Sequence, residues 1–175
     1  MDIEKKLDIL YDLLVDNSEI LEFELKELIS NPERIKNTNK FASLLSDLKN
    51  TNLIDALLVK ISESQKGDFW LTDFLYAAIN LLEESNINDE FDIPPYLLDK
   101  LKIWILEENG ELAWKAATIL KFYETESAEQ IQLKKLEERG DFFLTYAECI
   151  LGLIHYDKEK HWELVKKISN DETYD

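Results

Sequence analysis

Three short junctions constrain this chain most: Gly67-Asp68-Phe69, Gly110-Glu111-Leu112 and Gly140-Asp141-Phe142 each place a glycine, an acid and an apolar residue ahead of a long apolar-rich stretch. They use three of the four glycines, at spacings of 43 and 30 residues. Glycine accepts the left-handed conformation that ends a helix, and the acid after it favours the positive N-terminus of the next. The surroundings match as well. Phe69-Trp70-Leu71-Thr72 parallels Phe142-Phe143-Leu144-Thr145, and Leu106-Glu107-Glu108-Asn109-Gly110-Glu111 parallels Leu136-Glu137-Glu138-Arg139-Gly140-Asp141. Each unit reads as two helices: 69–84 with 95–108, 111–123 with 128–138, and 142–155 with 158–169.

Elsewhere the apolar residues also recur at helical rather than alternating spacing, and with 4 glycines and 3 prolines the chain is short of breakers. A first helix is expected near Ile3 to Val15. A second follows, N-capped by Ser18, carrying Ile20, Phe23, Leu25 and Leu28 and stopping at Asn31-Pro32. A third covers Lys40 to Lys49. A fourth begins after Thr51 and contains Leu53, Ile54, Leu57, Leu58 and Ile61. Ser127 with Gln130 fits a capping box, and Pro94-Pro95 suits a first turn. Strands are not expected. The reading is one all-α domain over 1–175, of about ten helices in about five hairpins, clearest over 67–169.

Hairpins at this period are what an α-solenoid needs, because each buries its apolar faces against its neighbours. From about Thr51 to Ile168 the chain resembles HEAT-like repeat proteins. The resemblance is one of architecture, since the proline, aspartate and arginine typical of those repeats do not stand at corresponding places. An irregular helical bundle is the alternative.

Charge narrows the function. The 175 residues hold 20 basic and 37 acidic side chains, a net −17, divided as −8 over residues 1–88 and −9 over 89–175. Such a field repels nucleic-acid phosphates and anionic lipids and attracts basic partners. With hydrophobic residues at 45% the chain is not a disordered acidic tail. Cys149 is the single cysteine, so no internal disulfide can form. No signal peptide is evident, and no run of about 18 apolar residues offers a membrane span. A cytoplasmic location is expected.

Candidate chemistry is sparse. His155 and His161 do not share a helical face and lack the spacing of metal motifs, so they read as polar residues around a helix turn. Cys149 lies in an apolar stretch that favours an inert thiol. Asn86, Asn88 and Glu90 resemble the start of a calcium loop but lack its glycine and its final glutamate. No catalytic, cofactor or metal residue is assigned, and no enzyme activity is expected. Trp70, Trp104 and Trp114 read as core. Trp162, among charged neighbours, reads as closing the end of it.

The acid pairs Glu83-Glu84, Glu107-Glu108 and Glu137-Glu138 each fall in a last helical turn, where a carboxylate faces the negative end of the dipole at a cost of about 0.3–1 kcal/mol. Helix stability does not account for them. In a hairpin stack Glu107, Glu108, Glu137 and Glu138 join Asp68, Glu111 and Asp141 in an acidic ridge suited to a basic protein. Small acidic helical proteins, HEAT-like ones included, occur among the immunity proteins of bacterial polymorphic-toxin systems, and this chain resembles them in size, charge and class. That resemblance implies a basic toxin partner, often a nuclease with a basic cleft. The competing expectations are a scaffold or adaptor that binds a peptide by apolar contacts and, further off, a helical DNA-repair enzyme, which the net charge opposes.

Overall fold

A computed structural model describes residues 5, 6, 9, 18–85, 94–138 and 142–171, with residues 18–20 as backbone only. Among these, every regular element is helical: α1 Ser18–Ser30, α2 Thr38–Leu48, α3 Ile54–Glu63, α4 Leu71–Glu84, α5 Pro95–Glu107, α6 Glu111–Leu120, α7 Glu126–Glu137 and α8 Phe143–Ser169. Single 3-10 turns, Pro32–Arg34 and Thr51–Leu53, precede α2 and α3. The all-α expectation holds. Apart from residues 5, 6 and 9, which are helical, the helix foreseen over 3–15 lies outside the described residues, as do the segment 86–93 and the third junction Gly140-Asp141.

By their contacts the residues form two compact units, Met1–Asn86 and Ile87–Asp175. In the first, α1 packs on α3, α2 on α4, and α3 on α4. Leu25, Ile29, Phe41, Leu45, Leu57, Ile61, Phe74 and Leu81 are fully buried at its centre. Phe23, expected on the apolar stripe of α1, instead points outward at 66% exposure. Three polar links tie α2 to α4: Thr38 Oγ1 donates to Asp73, Asn80 Nδ2 donates to Ser46 Oγ at 2.9 Å, and Lys49 Nζ meets Glu84. Because the partners ascend together, with an offset of 34 or 35 residues, α2 and α4 run in the same direction.

At the edge of α1, Glu22 accepts hydrogen bonds from Lys26 (2.6 Å), Asn52 (3.0 Å) and Asn50 (3.3 Å), tying the helix to the turn before α3. The Lys26 ammonium first, then the two amides, hold the Glu22 carboxyl down to about 2.

In the second unit α5 packs on α6 and α7, and α8 packs on both α6 and α7. Leu97, Leu101, Trp104 and Ile105 form the buried face of α5, as their spacing predicts. Contacts of Trp114 with Phe142 (6.1 Å) and of Lys121 with Glu148 (2.7 Å) again ascend together, so α6 and the first part of α8 run in the same direction. The helix break expected between 155 and 158 occurs at Asp157, where the backbone leaves the helical region (φ −156°, ψ 93°). The Asp157 carboxylate then accepts from the Lys160 amide at 3.0 Å, capping the second half of α8.

One local expectation is corrected and another holds. The cap of α7 is Thr125, whose side chain accepts from the Ala128 amide at 3.2 Å, and Gln130 turns to Glu126 instead of completing a box with Ser127. The cap thus stands two residues earlier than the Ser-x-x-Gln spacing suggested. The glycine of each described junction does take positive φ, +101° at Gly67 and +75° at Gly110. Gly110 combines this with ψ −139°, a region that side chains with a Cβ avoid. No heavy atom lies within 4 Å of where a Cβ would stand. Gly110→Ala is therefore expected to destabilise by about 1–3 kcal/mol through backbone strain alone, read as a lower urea midpoint with an unchanged slope; a change within 0.3 kcal/mol would remove the strain argument.

Candidate functional site

Acidic side chains at helix ends were singled out by the sequence, and the structure gives each described one a place. Asp68 belongs to the first unit and precedes α4, with its carboxylate accepting from the Gln65 amide at 2.8 Å. It closes the preceding turn rather than facing the N-terminus of α4. Glu107 ends α5 and is exposed, Glu108 is the half-buried residue after it, and Glu111 opens α6, exposed. Glu137 ends α7, exposed, with Glu138 half-buried beyond it. Asp141 lies outside the described residues.

Several of these carboxylates have local partners. Lys115 and Lys135 are buried at 7% and 2% exposure. Glu111 stands 3.0 Å from the Lys115 ammonium, and Glu138 stands 3.2 Å from that of Lys135. In the first unit Glu84 faces Lys49. A buried ammonium without a counter-charge costs several kcal/mol, so the carboxylate beside each lysine stabilises the fold. The expectation that helix stability cannot account for the acid pairs therefore fails at Glu138, whereas the exposed Lys49–Glu84 pair contributes little. Glu107 and Glu137 are the members most open to a partner.

Sequence reasoning missed the densest polar arrangement, the face that α7 turns to α8. Glu129, Gln132 and Lys135 follow one another at three-residue spacing, and all are buried. Glu129, at 4% exposure, takes His161 Nε2 and Lys160 Nζ, each at 2.6 Å, on one carboxylate oxygen. Gln132 lies against α8 so closely that a Cβ on Gly152 would stand 2.1 Å from its amide nitrogen. Lys135 reaches back to Glu138, whose carbonyl also accepts from the Tyr146 hydroxyl at 3.4 Å.

Charge is strongly favoured at the first of these positions. The hydrogen bond from Lys160 lowers the Glu129 pKa below the ordinary carboxylate value, burial opposes it, and His161 adds to the lowering. Lys160, half-exposed beside it, is raised in turn by Glu129. His161, read from the sequence as a polar residue around a helix turn, is thus buried in the core. A signal for this was present, since a helix as polar as α7 that must pack on both α5 and α8 has to bury some of its polar groups.

Trp162 is corrected in the opposite sense. It is 42% exposed, with Lys158 and Lys166 each 5.7 Å from its ring, and does not close the core. Trp70 and Trp104 are buried as expected, and Trp114 is half-buried. Cys149 is fully buried in α8. Among the described residues no three His, Cys, Asp or Glu side chains are grouped to hold a metal ion, and no helix is long and apolar enough to cross a membrane. No known protein-family model matches the chain, and the comparisons with curated proteins and with solved structures also return no match.

Proposed function

We propose that the chain is an acidic protein-binding module, and in its most specific form an immunity protein that neutralises a basic toxin domain. The observation that carries this reading is the exposure of Glu107 and Glu137 at the C-terminal ends of α5 and α7, two helices that pack on each other, in a chain of net charge −17. Each stands where a helix dipole disfavours it. Opposite charge on a partner would offset that cost and speed encounter. The hairpins are read as stacking in HEAT-like order. Support comes from α2 and α4, which run in the same direction at an offset of 34 or 35 residues, shorter than the period of about 40–47 usual for HEAT repeats but within the range of about 20–50 that repeat proteins use.

The test is retention of partners from the source cell on immobilised protein at low ionic strength, with identification of what is retained. The expected partner is a basic protein released as salt shortens the Debye length from about 10 Å at 0.1 M to about 3 Å at 1 M. Glu107→Gln combined with Glu137→Gln is expected to weaken its binding by about tenfold, and an undiminished affinity would remove these two residues from the interface. Recovery of no basic partner would sink the reading.

A second reading is a scaffold that binds a peptide through apolar contacts. Phe143 and Leu151 on α8 are 57% and 42% exposed and lie eight positions apart, on one side of the helix. A partner insensitive to salt and lost with Phe143→Ser would favour it.

A further inference from the structure

Between α5 and α7 runs an open groove of about 270 Å³ whose lining combines aliphatic and cationic side chains. Ile131 is buried in it at 6% exposure, and Leu98 and Leu106 are half-buried beside it. Lys102 from α5 and Lys134 from α7 line the same groove, both exposed. In a chain with almost twice as many acids as bases, half of the ten described lysines of this unit, Lys115, Lys121, Lys135, Lys160 and Lys166, lie within an ion pair, and Lys100 and Lys158 each lie over a tryptophan ring. Lys102 and Lys134 make no ion pair with any described residue, yet they share one groove. The dipole at the end of α7 favours a cation at Lys134. It gives no reason for Lys102, at mid-helix in α5.

We infer that this groove binds a small amphipathic monocarboxylate, its alkyl part over Leu98, Leu106 and Ile131 and its carboxylate between Lys102 and Lys134. Charge sets the number of negative groups. Two lysines and the exposed Asp99, which also lines the groove, leave a net +1, which suits a single anionic group. The surrounding −17 field would repel a highly acidic peptide or a nucleic acid. Size follows from the volume, which limits the occupant to a small molecule. It lies just below the range of about 300–1,000 Å³ common for small-molecule sites. The apolar floor requires the alkyl part, because a bare anion on two exposed lysines gains little in water. This site is independent of the acidic helix ends and of a protein partner.

Titration of the full chain with octanoate, followed by backbone amide NMR shifts, tests the inference. Octanoate is expected to bind at least tenfold more tightly than acetate and than octylammonium, with shifts concentrated around Leu98, Lys102, Ile131 and Lys134. Lys102→Gln and Lys134→Gln, both at exposed positions that the fold does not depend on, are each expected to weaken octanoate by about threefold. Binding of octylammonium as tight as that of octanoate, shifts centred elsewhere, or a double lysine variant that binds octanoate as the parent does would each overturn it.

Discussion

Glu129→Ala is expected to lower the stability of the second unit by about 3 kcal/mol, near the lower end of the cost of breaking a buried ion pair. The lower end applies because the two partners differ. Lys160, with 54% of its side chain exposed, can turn to water when the carboxylate is gone. His161 cannot, since 5% of its side chain is exposed and its Nε2 would be left without the acceptor 2.6 Å away. Lys160→Met should therefore cost far less, as exposed pairs do. Glu129→Gln should fall between, because an amide oxygen still accepts one hydrogen bond. Urea denaturation of the three variants orders them, and a Lys160→Met loss as large as that of Glu129→Ala would show that the exposed half of the network carries its energy.

The same carboxylate gives a pH signature of defined sign. Its folded pKa lies below the ordinary value of 4.5, so its stabilisation is fully present above that value and is lost as the pH falls through the lowered one. The stability gap between parent and Glu129→Gln is then constant at neutral pH and closes below about pH 4.5. Glu22 behaves alike in the first unit, with a window from 4.5 down to about 2. Lys160 acts at the other extreme. Its raised pKa confers stability at all lower pH values, lost only as the pH climbs through that raised value.

How far the sequence reaches is set by which interactions are local. Helix spans were readable because a buried apolar stripe repeats every three or four residues, and α4, α5 and α6 carry such stripes plainly. Gly67 and Gly110 were readable because a positive φ leaves few residue choices. The Glu129–His161 pair was not, because its members are 32 residues apart, Glu129 among polar neighbours and His161 among charged ones. The acid pairs were misread for a related reason. Although Lys135 is three residues from Glu138, the burial that makes this pair matter is set by tertiary packing and not by sequence spacing. Charge and composition foresaw an acidic surface but not which carboxylates the fold uses internally, and that distinction leaves Glu107 and Glu137 as the most open of the proposed contacts.

Phe74→Ala is expected to cost about 3–5 kcal/mol, as truncations of a fully buried phenylalanine do. Phe74 is 0% exposed at the centre of the first unit, with its ring 5.0 Å from that of Trp70 and 6.1 Å from that of Phe41, both tilted. Part of the loss is transfer of the ring from water, part is the cavity left between α2 and α4, and about 0.5–1.5 kcal/mol is aromatic pairing that a Phe41→Leu, Phe74→Leu cycle isolates. One residue earlier, Asp73 accepts from Thr38 and links the same two helices by a polar contact. If packing dominates, Thr38→Val, which removes that bond near a half-buried carboxylate still reachable by Asn39 at 3.3 Å, costs only about 1 kcal/mol. Amide exchange in α2 and α4 reads both changes directly. Faster exchange in Thr38→Val than in Phe74→Ala would make the polar link, rather than the aromatic cluster, the element that aligns α2 with α4.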